Sequence, residues 1–394
     1  GLATQRPGGR APGRQPGDLL DAGLRREEGR GLSGAAADLM TPELRSLAIQ
    51  EMVDHYARKP PAAEWPARAQ RAFSEPADPC DADVLATFGW SGGLGSGFNA
   101  MASEVGLAVY FNKTVALCHR QGTDYRNFAG FDLPLRVCGR SELCRDHDQY
   151  DRALNVSDKP GEKARWGTAV NFWGGCLQHY ECDVQLAGSR MPLVKPAFRH
   201  PGIDSSFRSF SRDFRHFLYG ALWTLTPTER AGVDIKVAQW GPKEGPFVGI
   251  HLRGTDKFHE AQDPGVGAYA QQALAFLRSS NATQVFIASD DKPRLKDLKE
   301  QLLAAMPQVQ IFAKSEREYP WRAGGHILEI DERQVMLAEI QQLVRATAFV
   351  GSASSNIGRA VYFLRQTQAG EVQSGRDLTA YSVDDDNDFF SRHC

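Results

Sequence analysis

From residue 246 onward the sequence alternates short apolar runs with helix-length segments, and this alternation limits the fold more than any other feature. The runs are FVGIHL, QVFIA, VQIFA and TAFVG, and segments of helical period follow them at about 266–279, 293–305, 330–346 and 355–366. Short strands alternating with helices predict a parallel sheet covered by helices on both faces. A second unit of this type stands upstream, in VLATFGWSGGLGSGFNAMASEVGLAVYFNKTVALC. Its spacing predicts a strand over 84–89, a glycine-rich turn, a helix over about 98–110 and a strand ending at Cys118. The chain is therefore α/β in class.

Other segments read less fully. TPELRSLAIQEMVDHYARKP predicts a helix capped by Thr41, with Pro42 in its first turn and Pro60 closing it. DSSFRSFSRDFRHFLYGALWTLTPTERAGVDI predicts a long helix, a break near Pro227 and a second helix. The strands of 119–245 cannot be ordered from the sequence. Residues 1–38, rich in Gly, Arg and Pro, bury no core and are expected to be a disordered stalk or linker. Any type II membrane anchor is expected upstream of this chain or absent.

Composition excludes some classes. The formal net charge of −2 over 394 residues gives no basic footprint, so nucleic acid is not an expected partner. No apolar run approaches the roughly 18 residues that would span a membrane. Cys80, Cys118, Cys138, Cys144, Cys176 and Cys182 cluster within about a quarter of the chain, with Cys394 at its end. Without a CxxC pair a zinc ribbon is not expected. Six clustered cysteines suit disulfide bonds in an oxidising compartment, and sequons at Asn112, Asn155 and Asn281 agree with a glycoprotein of the secretory pathway.

In open parallel sheets, ligands sit beyond the carboxyl ends of the strands. Three strand ends carry chemistry there. GIHLRGTDKFHE places His251, Arg253, Asp256, Lys257 and Glu260 after the first run. Asp290 and Asp291 follow QVFIAS, and Ser354 and Ser355 follow TAFVGSA. Arg and Lys, a carboxylate pair and hydroxyls at a helix start together describe a pocket for an anionic, nucleotide-like ligand. The serines are either N-caps or phosphate donors. Gly95, Ser96 and Gly97 either form a tight turn or offer backbone N–H groups to an anion. The strict dinucleotide and P-loop fingerprints are absent.

The ordered motifs VGIHLRGTDK, VFIASDD, PWRAGGH, AFVGSASSNIGRAVYFL and, more weakly, YSVDDDNDFF resemble the α-1,6-fucosyltransferases, both the animal core-fucosylation enzyme and the bacterial nodulation enzyme. GGLGSGFNA is similar to the glycine-rich start of their catalytic region. The likeness is good over 246–390 and weak over 80–245. It implies a GT-B glycosyltransferase of two Rossmann-like lobes with the nucleotide-sugar cleft between them. The lobes would be residues 39–245, with the clustered cysteines, and 246–375, the donor lobe, followed by a tail over 376–394. The donor would be GDP-fucose, used with inversion, with no metal and no other cofactor. The acceptor would be a glycan or glycoprotein, GlcNAc in α-1,6 linkage, in the Golgi lumen.

The same resemblance assigns roles. Arg253 and Lys257 would oppose charge growing on the departing phosphate. Glu260 would be the base for the attacking hydroxyl, or else a solvated loop charge. His251 would lie beside the guanine or be a core histidine. Glu339 would accept the guanine N–H groups or lie on a helix face. Asp256 belongs to the donor loop, Asp290 and Asp291 would hold that loop by hydrogen bonds, and Arg359 would brace the last helix. Ser354, Ser355 and the Gly95–Gly97 backbone would hold the diphosphate from both sides.

Two departures stand out. The family has a second basic residue after the loop arginine, where this chain has Gly254. The animal enzyme also has a coiled-coil stem and an SH3 domain, and this sequence shows neither. Protein O-fucosyltransferase is the nearest alternative enzyme. A non-catalytic glycan or sugar-nucleotide binder is the alternative of another class. A metal-dependent GT-A enzyme would use a DxD motif, found at Asp81–Asp83, Asp146–Asp148 and Asp384–Asp386.

Overall fold

A computed structural model of the chain describes residues 58–74, 84–88, 94–118, 128–133, 137–138, 166–171, 176–181, 201–242, 244–254, 263–313, 330–368 and 379–384. Two five-stranded sheets organise it. The first holds β1 (Val84–Phe88), β2 (Thr114–Cys118), β3 (Val137–Cys138), β4 (Trp166–Asn171) and β5 (Cys176–Glu181) in the order β3-β2-β1-β4-β5. Strands β1 to β4 pair in parallel, and β5 runs antiparallel to β4. The second holds β6 (Phe247–Leu252), β7 (Gln284–Ser289), β8 (Gln310–Ala313), β9 (Ala348–Gly351) and β10 (Ala380–Ser382) in the order β10-β9-β6-β7-β8. Every pairing in it is parallel. The α/β class with two Rossmann-like sheets is the one the sequence leads to. β6 is central, and all six of its residues are buried. That explains its near-continuous apolar run, since a central parallel strand is covered on both faces.

The helices are α1 (Trp65–Ala72), α2 (Leu94–Phe111), α3 (Pro201–Leu222), α4 (Pro227–Trp240), α5 (Val266–Ser280), α6 (Lys292–Ala305), α7 (Ile330–Arg345) and α8 (Asn356–Gln368). Their starts carry the expected punctuation. Thr226 caps α4, with Pro227 at its first position, and the Asp291 carboxylate accepts the Arg294 N–H at 3.1 Å to cap α6. α2, α3 and α8 pack through Phe98, Phe207, Phe210, Phe214, Tyr219 and Phe363, all of them buried. One apolar core thus runs from Leu85 of the first sheet to Phe286 and Phe349 of the second. α4, upstream of the expected boundary at 245, packs on α7. There Arg333 donates to both oxygens of Glu229, at 2.7 and 3.0 Å, with both side chains buried.

One element begins earlier than the sequence implies. α2 starts at Leu94, not near 98, so Gly95, Ser96 and Gly97 lie inside its first turn. The reason is packing. A Cβ on Gly95 would lie 2.7 Å from Ile357 Cδ1 and 3.2 Å from the Ile357 backbone nitrogen. The bare residue lets α2 and α8 approach. Cys118 and Cys138 are register partners on β2 and β3, and Cys176 opens β5. Cys80, Cys144, Cys182 and Cys394, the stalk at 1–38, most of the 41–59 helix and the tail beyond 384 lie outside the described residues.

Candidate active site

Both sheets reverse direction at equivalent points. In the first the chain runs β1 to β3 one way and then adds β4 on the other side of β1. In the second it runs β6 to β8 one way and then adds β9 on the other side of β6. In such folds the crevice at the reversal, beyond the carboxyl ends, is where ligands bind. In the second sheet that crevice lies between the ends of β6 and β9. The first delivers Arg253, and the second delivers the turn Ser352–Ser355.

Arg253 is held by one carboxylate with two grips. Its Nη1 donates to Asp290 Oδ2 at 2.7 Å, and the Gly254 N–H donates to Asp290 Oδ1 at 2.8 Å. Asp290 ends the β7 segment next door, so the β6–β7 register aims both residues. The glycine is closely packed. A Cβ at residue 254 would fall 2.5 Å from Asp291 Cβ and 2.8 Å from Asp290 Oδ1. A second basic side chain directly after Arg253 would therefore have to displace the acidic pair. Further on, Arg294 donates to both oxygens of Asp263, at 2.7 and 2.9 Å, and holds that carboxyl below the usual range.

His251 is 7% exposed and precedes Arg253 by two positions on β6. Burial pushes its imidazole down to about 4. The Arg253 charge adds to that shift, and Asp290 opposes it. The ring is neutral at neutral pH, and its buried Nδ1 has no hydrogen-bond partner among the described residues. A neutral ring nitrogen of this kind can donate or accept one bond to a polar ligand.

Burial pushes the Tyr269 hydroxyl on α5 up to about 12, opposed by hydrogen bonding with the Ser352 side chain and the Arg253 backbone. The β9–α8 turn is held by Asp384, just past β10. Its Oδ1 accepts the Ala353 N–H at 2.6 Å, and its Oδ2 accepts the Ser354 N–H at 3.3 Å and the Ser354 hydroxyl. Ser382 supports it, donating to Asp384 Oδ1 at 2.8 Å and accepting from the Ala353 N–H at 2.9 Å. Ser355 is the cap of α8. It is buried, its N–H donates to the Ser352 carbonyl at 3.1 Å, and its hydroxyl accepts from Gly358 N–H at 3.5 Å.

The structure thus brings together His251, Arg253, Asp290 and Asp291 at one strand end, with Ser354 and Ser355 at the adjacent one. It also brings the first turn of α2 to α8. Asn99 Nδ2 donates to the Gly95 carbonyl at 3.0 Å and to the Asn356 carbonyl at 3.1 Å, and Asn99 Oδ1 accepts from the Tyr219 hydroxyl. Arg359 is buried and bonds Asn356 Oδ1. Glu339 is buried on α7. Asp256, Lys257 and Glu260 lie outside the described residues, as do the Asp81–Asp83 and Asp146–Asp148 motifs. Of the third DxD, Asp384 is engaged with backbone amides. No cluster of three or more His, Cys, Asp or Glu that could hold a metal occurs among the described residues. Sequence reasoning missed Tyr269, Ser352, Asp384 and the Asn99–Asn356 pair. Only Asp384 carried a signal, as the first residue of a DxD run.

No protein-family model matches the chain, and no curated protein matches it. Among solved structures it is similar to POFUT1 in complex with GDP-fucose, at 12% identity and a TM-score of 0.43, over 78% of this chain and 99% of that one. It is similar to an Arabidopsis thaliana FUT1 mutant in complex with GDP, at 14% identity and 0.43, over 82% and 76% of the two chains. It is also similar to NodZ α-1,6-fucosyltransferase soaked with GDP-fucose, at 14% identity and 0.35, over 72% and 93%. Scores this low leave the functional question to the site's own chemistry.

Proposed function

We propose that the crevice between the ends of β6 and β9 binds the diphosphate of GDP-fucose, and that the chain is a glycosyltransferase moving fucose to a glycan. The observation that carries this is the Arg253–Asp290–Gly254 clamp. It pairs a guanidinium with a carboxylate at a sheet reversal, two positions from a neutral and buried histidine. A positioned planar cation suits a diphosphate. When the acceptor hydroxyl attacks the anomeric carbon from the opposite face, the sugar–phosphate bond breaks and charge grows on the departing oxygen. A fixed cation stabilises that charge without reorganising. In this reading Lys257 adds a second cation and Glu260 takes the hydroxyl proton. His251 and Glu339 contact the base, and the first turn of α2 borders the same pocket. No metal is needed for these roles.

The acceptor is GlcNAc of a glycan, joined in α-1,6 linkage with inversion, a reading that rests on the motif resemblance. The test is incubation with GDP-fucose and such a glycan, with mass spectrometry as the readout. Gain of one deoxyhexose on the glycan supports the proposal. Gain on a disulfide-rich protein domain instead would favour O-fucosylation, and GDP binding without any transfer would favour a binder. A secretory-lumen location belongs to the same proposal. Asn112 and Asn281 are exposed, at turns that lead into β2 and β7 on the edges opposite the strands' carboxyl ends. A mass loss on glycosidase treatment of the protein from secretory cells would support that location, and an unchanged mass would count against it.

A further inference from the structure

The donors that a phosphate would seek on the β9–α8 turn already hold an anion. Ala353 N–H, Ser354 N–H and the Ser354 hydroxyl all point at the Asp384 carboxylate. This is not the capping of α8, which Ser355 performs through Gly358. It is a separate set of donors on the two residues before the cap. The acid arrives from another strand, placed by the β9–β10 register in which Ser382 faces Gly351 and Val383 N–H meets the Gly351 carbonyl at 2.8 Å. The turn adjoins the guanidinium site, because β6 and β9 pair directly with Ile250 facing Val350, so Arg253 and Ser352 leave neighbouring strand ends.

We propose that Asp384 determines donor affinity by occupying the donors that the diphosphate would use. The inference rests on the nucleotide reading above. Carboxylate and phosphate are both anions that take charge-assisted bonds from N–H and O–H groups. They cannot share three donors, and side by side they repel. Binding of the diphosphate therefore exchanges one anion for the other, and its affinity is lowered by the bonds Asp384 gives up. On product release the carboxylate returns to the same donors, which favours departure of the nucleoside diphosphate. Asp384 acts on the donor's phosphates alone and leaves the base contacts as they are.

The experiment is calorimetric titration of the full chain, wild type, Asp384→Asn and Asp384→Ala, with GDP and with guanosine. Asp384→Ala opens the Ser354 N–H and hydroxyl and leaves the Ala353 N–H shared with Ser382 alone, and GDP should bind about tenfold tighter, the equivalent of one or two neutralised hydrogen bonds. Asp384→Asn keeps the shape and one acceptor oxygen but removes the charge, so it should give a smaller gain in the same direction. It also decides the matter if the alanine variant proves unstable by thermal melting. Guanosine should bind all three proteins equally, and stopped-flow should show slower GDP release from the variants. Equal or weaker GDP binding in the variants would overturn the inference, as would a parallel change with guanosine, which marks a structural role. If wild type binds GDP and the variants match it, only this inference falls. If no form binds GDP, the nucleotide reading falls with it.

Discussion

The two sheets reverse at equivalent places, yet their carboxyl edges are built for different ends. Past β6, a guanidinium and a backbone N–H are locked onto Asp290, a buried neutral histidine sits behind them, and Gly254 packs closely against the acidic pair. Beyond β1, Gly95 and Gly97 lie in the first turn of α2, where Gly95 makes room for Ile357 of α8. Both glycines are there because something presses on them. At Gly254 it is the acidic pair that aims the arginine, and at Gly95 it is a neighbouring helix. A glycine beyond a strand end can thus be explained by a neighbouring helix alone. A charge aimed by a second charge is the stronger sign of an anion site.

The sharpest way to break this contrast is to remove the charge. Arg253→Ala should weaken GDP binding about a hundredfold, the equivalent of roughly 3 kcal/mol for a positioned cation on a phosphate. The melting temperature should barely move, and calorimetry alongside melting would check both. A collapse in stability without a specific loss of GDP affinity would make the clamp structural. Next comes Gly254→Ala, expected to destabilise by about 1–3 kcal/mol because Asp291 Cβ and Asp290 cannot both keep their places. Denaturant unfolding measures it, and GDP affinity should fall in parallel. Gly95→Ala meets mainly the flexible end of Ile357, so its cost should be about 1 kcal/mol, with GDP affinity unchanged. Equal losses of affinity at both glycines would erase the distinction between the edges.

The β6 edge also predicts a pH effect. His251 is depressed to about 4 in the folded chain, against an ordinary histidine value of 6.5 in the unfolded one. Below 6.5 the unfolded chain takes up the proton first, so stability is full above that pH and declines as pH falls toward 4. His251→Leu should flatten the stability profile in that window and leave it unchanged above about pH 7. Unfolding curves across the range would show it, and an unaltered slope would mean that another group governs acid stability.

Much of this edge is legible in the sequence. The buried runs of β6, β7 and β9 are continuous because parallel strands are covered on both faces, and the charge that ends them is visible as a break. Asp290 stands out as an acid directly after a strand. The α2 start is not legible, because Gly95 and Gly97 read as a turn until Ile357, some 260 positions away in the sequence, supplies a reason for them. Tyr269 is hidden because one aromatic on a helix face looks like core, and its hydroxyl contacts depend on how α5 crosses the strand ends. Asp384 reads as part of a DxD run, since its place over the Ser354 turn is set by the β9–β10 register and not by any local pattern. β3, β4 and β5 escape ordering because long stretches without a clear period separate β2 from β3 and β3 from β4.

The most direct measurement is titration of the wild-type chain with GDP, UDP and ADP in EDTA. The account predicts that GDP binds without added metal and that UDP and ADP bind at least about tenfold more weakly, the margin of one lost base-recognition contact. Indistinguishable affinities for GDP and UDP, or binding that appears only when Mg²⁺ is supplied, would contradict it.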